Sequence, residues 1–231
     1  MSYQSEQLSI VLITIFLVIL IFVGSNKLKK INAGEKPGRF LSALMSYVSF
    51  IHNYTVENMG KKHGSRMAAY IGIVFIYLIV SNVSGLLGLS APTQNLTVTL
   101  MFGGITWILI QIAKYQSNEG LGGYFKTFLD PSALFLIPNV FGEIAPLISL
   151  SFRLFGNIIA GSVIMSLVYT FTGWLSSFVP VIGEFNFLGV IIAPPLHLFF
   201  DVFLGFIQAF IFVTLSMVLI SLEFSGTEEE N

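Results

Sequence analysis

Arg153 stands in the apolar run Ser149-Leu150-Ser151-Phe152-Arg153-Leu154-Phe155-Gly156-Asn157-Ile158-Ile159-Ala160-Gly161-Ser162, and no Lys or Arg follows it. A guanidinium at bilayer depth costs at least ~2.5–3.5 kcal/mol on insertion scales, which makes it a functional-site candidate. The structural alternative is an arginine that snorkels to the interface or caps carbonyls. Further along, His197, Asp201, Gly205 and Gln208 are spaced 4, 4 and 3, so on a helix they line one stripe. Arg153, Gly156, Asn157, Ala160 and Gly161 form a matching polar, small-residue face upstream. Asn, Gln and Ser alone read as packing glue, whose hydrogen bonds across membrane helices contribute under ~2 kcal/mol each. An Arg and an Asp on two long neighbouring helices point instead to a path for charge, since intramembrane ionisable groups mark ion routes and proton relays. Glu143 precedes Arg153 toward one side and Glu184 falls toward the other, so acidic groups flank the arginine.

The elements that must position these residues are membrane helices. The chain has 231 residues, of which 55% are hydrophobic and 10% charged. Its mean hydropathy is +0.84. This lies outside the soluble globular range and indicates an all-α polytopic membrane protein forming a single membrane domain over 1–231. A net charge of −1, with the basic residues confined to short loops, argues against a nucleic-acid partner. There is no cysteine, and His52, His63 and His197 have no metal-ligand spacing, so neither a metal nor a cofactor is expected.

Residues 8–24 form a first span with Glu6 before it and Lys27, Lys29 and Lys30 after it, which places the N-terminus outside by the positive-inside rule. Residues 37–60 carry Phe40, Leu44, Val48, Ile51 and Thr55 at helical spacing, a pattern that suits an amphipathic helix in the cytoplasmic interface. Spans follow at 67–89, where Asn82, Ser84 and Gly85 suggest packing against other helices, and at 97–113. The Gly-rich, polar stretch 115–130 reads as a connector or docking loop. Two long segments, 139–172 and 187–222, exceed what an upright span needs and must tilt or bend, with Pro138, Pro146 and Pro194-Pro195 as places to do so. The connection 173–186 has no basic residue and reads as outside, which returns Glu228-Glu229-Glu230 to the cytoplasm. Every Lys and Arg other than Arg153 then lies on the cytoplasmic side.

In an antiparallel hairpin of these two segments, a register pairing Arg153 with Gln208 also brings Gly156 to Gly205. It sets Ser162 near the depth of Asp201.

The run Ser151-Phe152-Arg153-Leu154-Phe155-Gly156-Asn157-Ile158-Ile159-Ala160-Gly161, followed by Gln208-Ala209-Phe210-Ile211-Phe212, closely resembles subunit a of bacterial F-type ATP synthases. The resemblance covers residues 66 to 222, and the order of spans matches from residue 8. It implies a non-catalytic stator subunit in the bacterial plasma membrane, its tilted hairpin against a ring of c subunits that each carry a carboxylate. Two aqueous half-channels would load and unload that carboxylate with H⁺ or Na⁺. Arg153 would attract the deprotonated carboxylate and block leakage, with Asn157 and Gln208 supporting it. Peripheral-stalk b subunits and a soluble ATPase sector are the implied partners, and ATP chemistry belongs to them, since no GxxxxGK[ST] run is present.

Two departures bear on the outer half-channel: Ser162 stands where the family often has Glu, and Asp201 where it often has His or Glu. Asp201, with His197 one turn away, is therefore the expected outer relay, and Ser162 supplies at most a hydrogen bond. The competing reading is an independent secondary transporter or channel with Arg153 binding an anionic substrate. Such folds often carry internal repeats, and none is evident here.

Overall fold

The computed structural model describes residues 2–29, 37–118, 120–178 and 185–225. Lys30, Lys36, Pro180, Gly183, Glu184 and Glu228 to Glu230 lie outside the described residues. The helices in order are α1 (Ser2–Leu28), α2 (Arg39–Val83), α3 (Leu96–Ser117), α4 (Leu121–Leu129), α5 (Leu136–Ser176), α6 (Phe187–His197) and α7 (Gly205–Ser225). A π-helical segment, Leu198–Leu204, joins α6 to α7. No strand occurs among the described residues, and five helices are long and apolar enough to cross a membrane, so this is an all-α polytopic membrane protein.

Helix α2 is broken at Gly60, whose φ of 74° and ψ of 164° are almost exclusive to glycine. The arm before the break folds back on the arm after it. The Tyr47 hydroxyl donates to the Gly72 carbonyl at 2.6 Å. At Gly64 the two backbones meet so closely that a Cβ there would lie 2.6 Å from the carbonyl oxygen of Thr55 and the Cα of Val56. Of the apolar stripe expected on the first arm, Ile51 and Thr55 are buried in this fold-back, whereas Phe40 and Val48 face outward.

The second arm of α2 packs with α3, α5 and α7 around Ile71, Leu78, Leu150, Leu154, Phe212, Met217 and Ile220. Lipid tails provide no hydrophobic drive between membrane helices, so close backbone approach and interhelical hydrogen bonds must hold such a bundle. Both are present. Gly103 of α3 receives Ser151 of α5 where any side chain would collide with it. The Tyr70 hydroxyl lies 2.8 Å from Thr106 Oγ1, and Tyr54 pairs with Thr214 at 2.9 Å.

The polar stretch 115–130 is not a plain connector, because α4 forms within it. Its Leu121, Tyr124, Phe125 and Phe128 recur at helical spacing, and Tyr124 stacks edge-on against Phe125 and Phe128.

Helix α5 has 41 residues, about 60 Å at helical rise and roughly twice the hydrocarbon thickness of a bilayer. Pro138 falls in its first turn, where a missing N–H costs nothing, and the helix continues through Pro146. One face of α5 packs on α3 and α6, while Phe141, Ile148, Phe152, Val163, Leu167 and Phe171 stay exposed.

The Gly64 contact yields a direct test of the fold-back. Gly64→Val is expected to destabilise the protein by more than ~2 kcal/mol, the scale of a forced overpacking. Gly142→Ala, with nothing within 4 Å, should be silent. Thermal unfolding in detergent micelles compares the two.

Candidate functional site

Asn186 sets the turn of the α5–α6 hairpin. Its Nδ2 donates to the Tyr169 carbonyl and to Thr172 Oγ1, both at 3.1 Å. Its Oδ1 accepts from the Gly189 N–H at 2.9 Å, capping α6. The two helices therefore run side by side from that end, and the π segment and α7 continue past α5 toward Arg153.

Asn157, rather than Arg153, lies opposite Gln208, and its Nδ2 donates to Gln208 Oε1. Gly156 has open space beside it and does not meet Gly205. The difference from the expected register lies in how α7 is turned. Its buried stripe Gly205, Gln208, Ala209, Phe212 and Ser216 faces inward, with Gly205 against Asn82 of α2. Asn82 Nδ2 donates to the Gly205 carbonyl at 2.8 Å, and Asn82 Oδ1 accepts from Thr93 at 3.1 Å. The expected packing role of Asn82 is thus realised on the hairpin's own backbone.

Arg153 projects from the exposed face of α5, one turn from Asn157, while its neighbours Leu150 and Leu154 are buried. Its one side-chain hydrogen bond among the described residues is a long one, Nη2 donating to Ser149 Oγ at 3.4 Å. No carboxylate pairs with it among the described residues.

A cleft of about 580 Å³ opens between α5, the α6–α7 unit and the connection after α2. Gly88, Ser90 and Gln94 line it on one side, and Asn157 and Gln208 line the end nearer Arg153, here the inner end, one helical turn away from it. Ser162, His197 and Asp201 all line it. Asp201 sits in the π segment, a local widening of the helix often found at functional sites. Its Oδ2 lies 2.7 Å from His197 Nδ1, and His197 Nε2 lies 2.9 Å from the Tyr169 hydroxyl. Ser162 Oγ donates to the Ile159 carbonyl at 2.8 Å, so its hydroxyl proton is engaged on its own helix. Gln208 Nε2 is buried with no partner among the described residues, leaving a donor at the inner end.

Glu143 is separate from this cluster. Its carboxylate pairs with Lys114 of α3 and accepts from Gln111 Nε2 at 2.8 Å, and its carbonyl accepts from Trp107 Nε1 at 2.6 Å. Tyr124 of α4 donates to Gln111 Oε1 at 2.7 Å, and Lys114 lies 5.1 Å from the centre of the Phe128 ring. The predicted residues thus divide into a cleft group of Asn157, Ser162, His197, Asp201 and Gln208, an ion pair at Glu143, and Arg153 on the open face. Tyr169, Lys114 and Gln111 were not singled out in the sequence. For Lys114 the available signal was its unusual place at the end of an apolar run; for Tyr169 there was none beyond residue type.

A polytopic helical protein whose intramembrane arginine meets no carboxylate among the described residues and stands beside a polar cleft has the features of the ion-translocating class of membrane proteins. The family model of the ATP synthase A chain matches residues 7–221. ATP synthase subunit a of Mycoplasmoides gallisepticum is 34% identical over 223 residues, which cover 91% of this chain and 75% of that protein. Subunit a of Desulforamulus reducens is 30% identical over 95% of this chain and 79% of its own length. The sodium ion specific subunit a of Propionigenium modestum is 28% identical over 88% and 68%. This chain belongs to the ATP synthase A chain family, subunit a of the F-type enzymes.

With Asp201 hydrogen-bonded to His197, which in turn meets Tyr169 across the hairpin, and with Ser162 engaged on its own helix, the two departures should differ in effect. Asp201→Asn is expected to lower ion pumping by about a hundredfold, the lower end of the range for a lost proton-transfer group. Ser162→Ala should stay within about twofold, the smaller effect of one net hydrogen bond. Pumping assays on membrane vesicles with matched amounts of assembled complex decide between them, and an active Asp201→Asn beside an inactive Ser162→Ala reverses the assignment.

Proposed function

We propose that this chain is the stator subunit of a rotary ATP synthase, that it forms two ion half-channels against the c-ring, and that it couples H⁺ or Na⁺ flow to rotation. The observation that carries this reading is Arg153, exposed and without an ion-pair partner among the described residues, next to the inner end of a polar cleft. A charge at membrane depth favours a counter-charge, and no described group of this chain supplies one, which supports a partner from another molecule. The carboxylate of a passing c subunit meets that need. The exposed face of α5 is apolar apart from Arg153 and its neighbours and is long enough to lie along several ring helices.

In this reading the cleft is the outer half-channel and delivers the ion past Asp201, Asn157 and Gln208. Glu143, paired with Lys114, marks the inner side by which the ion leaves. Arg153 stands between the two and prevents a direct path. Moving one charge through 100 mV supplies ~2.3 kcal/mol, so several ions must pass for each ATP. The chain itself performs no ATP chemistry; that falls to the soluble sector, while b subunits hold the stator against the ring. It lies in the bacterial plasma membrane with its N-terminus outside and its C-terminus in the cytoplasm. An independent transporter would enclose its arginine among its own helices, whereas Arg153 stands on the outer face.

Arg153→Ala is expected to abolish coupled ion transport in assembled complexes. Arg153→Lys should also be severely impaired, because a compact ammonium lacks the planar fork of the guanidinium. Normal ATP-driven pumping by either variant contradicts the reading. The orientation has its own check: cysteines introduced at Ser2 and Ser225 should react with impermeant reagents from opposite sides, and labelling from one side overturns it.

A further inference from the structure

Three titratable side chains line the cleft, and all three sit in one hydrogen-bonded chain. Tyr169 comes from α5, His197 from the end of α6 and Asp201 from the π segment, so the chain crosses the hairpin. What faces it from the other elements is neutral: Asn82 from α2, Gly85 and Gln94 from the outer connection, Ser162 from α5 and Gln208 from α7. No Lys, Arg or Glu occurs among the described lining residues to share the charge.

An ionised carboxylate only accepts hydrogen bonds, so the 2.7 Å contact with Asp201 requires His197 to donate from Nδ1. The neutral ring then offers its Nε2 lone pair, and the Tyr169 hydroxyl, 2.9 Å away, donates to it. Which nitrogen carries the proton is thereby set by Asp201, and the Tyr169 hydroxyl, able to donate or accept, follows it. We infer that Tyr169 is a positioning residue of the outer half-channel, holding the ring of His197, whose tautomer is set by Asp201, in the orientation that passes a proton to Asp201; this rests on the rotary reading above. A proton from the outer side forms an N–H bond at Nε2, and the Nδ1–H bond breaks as its proton moves to the Asp201 oxygen. Tyr169 turns from donor to acceptor without ionising. Exchange with solvent in the cleft restores the first tautomer once Asp201 has released its proton inward. The backbone of Tyr169 is itself fixed by Asn186, which also ties Thr172 and caps α6, so hydroxyl and ring are held by the same hairpin turn.

The test uses proteoliposomes containing the whole complex, in which ATP synthesis is driven by acidification of the outer side. Tyr169→Phe is expected to lower the rate about three- to tenfold, the scale of one lost hydrogen bond, and to shift its dependence on outer pH. Tyr169→Gln, which keeps a donor at that place, should recover part of the loss. In a His197→Gln background, Tyr169→Phe should change nothing further. An unchanged pH profile for Tyr169→Phe, or losses that multiply in the His197→Gln background, overturns the proposal. Arg153→Ala in the same liposomes reports on the rotary reading itself, so failure of one is distinguishable from failure of the other.

Discussion

The rest of the structure answers to one constraint, which is that a guanidinium on an apolar helix face cannot remain without a counter-charge in hydrocarbon. Arg153 is not neutralised by any described group of its own chain, and its hydrogen bond to Ser149 is long. A residue in that position makes an exposed helix face into half of an interface. The proposed contact with the ring accounts for why α5 is so little covered by the bundle, since a face that meets another molecule cannot be packed from within. Where a soluble protein would hide such a surface, this chain leaves large apolar side chains along it.

A face of that kind must be held rigid from behind. The rear of the hairpin is anchored by contacts suited to a membrane interior: Gly103 admitting Ser151, Asn82 bonded to the Gly205 carbonyl, and hydroxyl pairs such as Tyr70 with Thr106. The first gives a short backbone separation and the other two give hydrogen-bonded polar groups, both of which association needs where burial from lipid contributes little. The Asn82 bond acts between Asp201 and Gln208 in sequence, so the brace on the backbone also sets the spacing of the two cleft side chains.

The ionisable groups are kept apart in the same spirit. Glu143 is committed to Lys114, Gln111 and the α3–α4 junction, whereas His197 and Asp201 are committed to each other and to Tyr169. Neither cluster neutralises Arg153. An arginine paired permanently within its own chain would have no attraction left for the ring carboxylate of the proposed mechanism, and the separation of these clusters is consistent with that role.

Much of this was legible in the chain itself. Hydropathy and the asymmetry of Lys and Arg set the class and the expected spans, and the rarity of charge in apolar runs singles out Arg153, Asp201 and Glu143. Those signals are local in sequence, because each residue must meet the membrane on its own terms. Register and rotation were not legible in this way. The opposition of Asn157 to Gln208, the use of Gly205 against Asn82 and the fold-back at Gly60 depend on which face of each helix its neighbours take. Tyr169 entered the site for the same reason: a tyrosine in a polar, apolar-flanked run looks like any other until the hairpin turn at Asn186 sets it beside His197. Composition determined that these helices would lie in a membrane and carry a charge there, while only their packing decided which side chains that charge would meet.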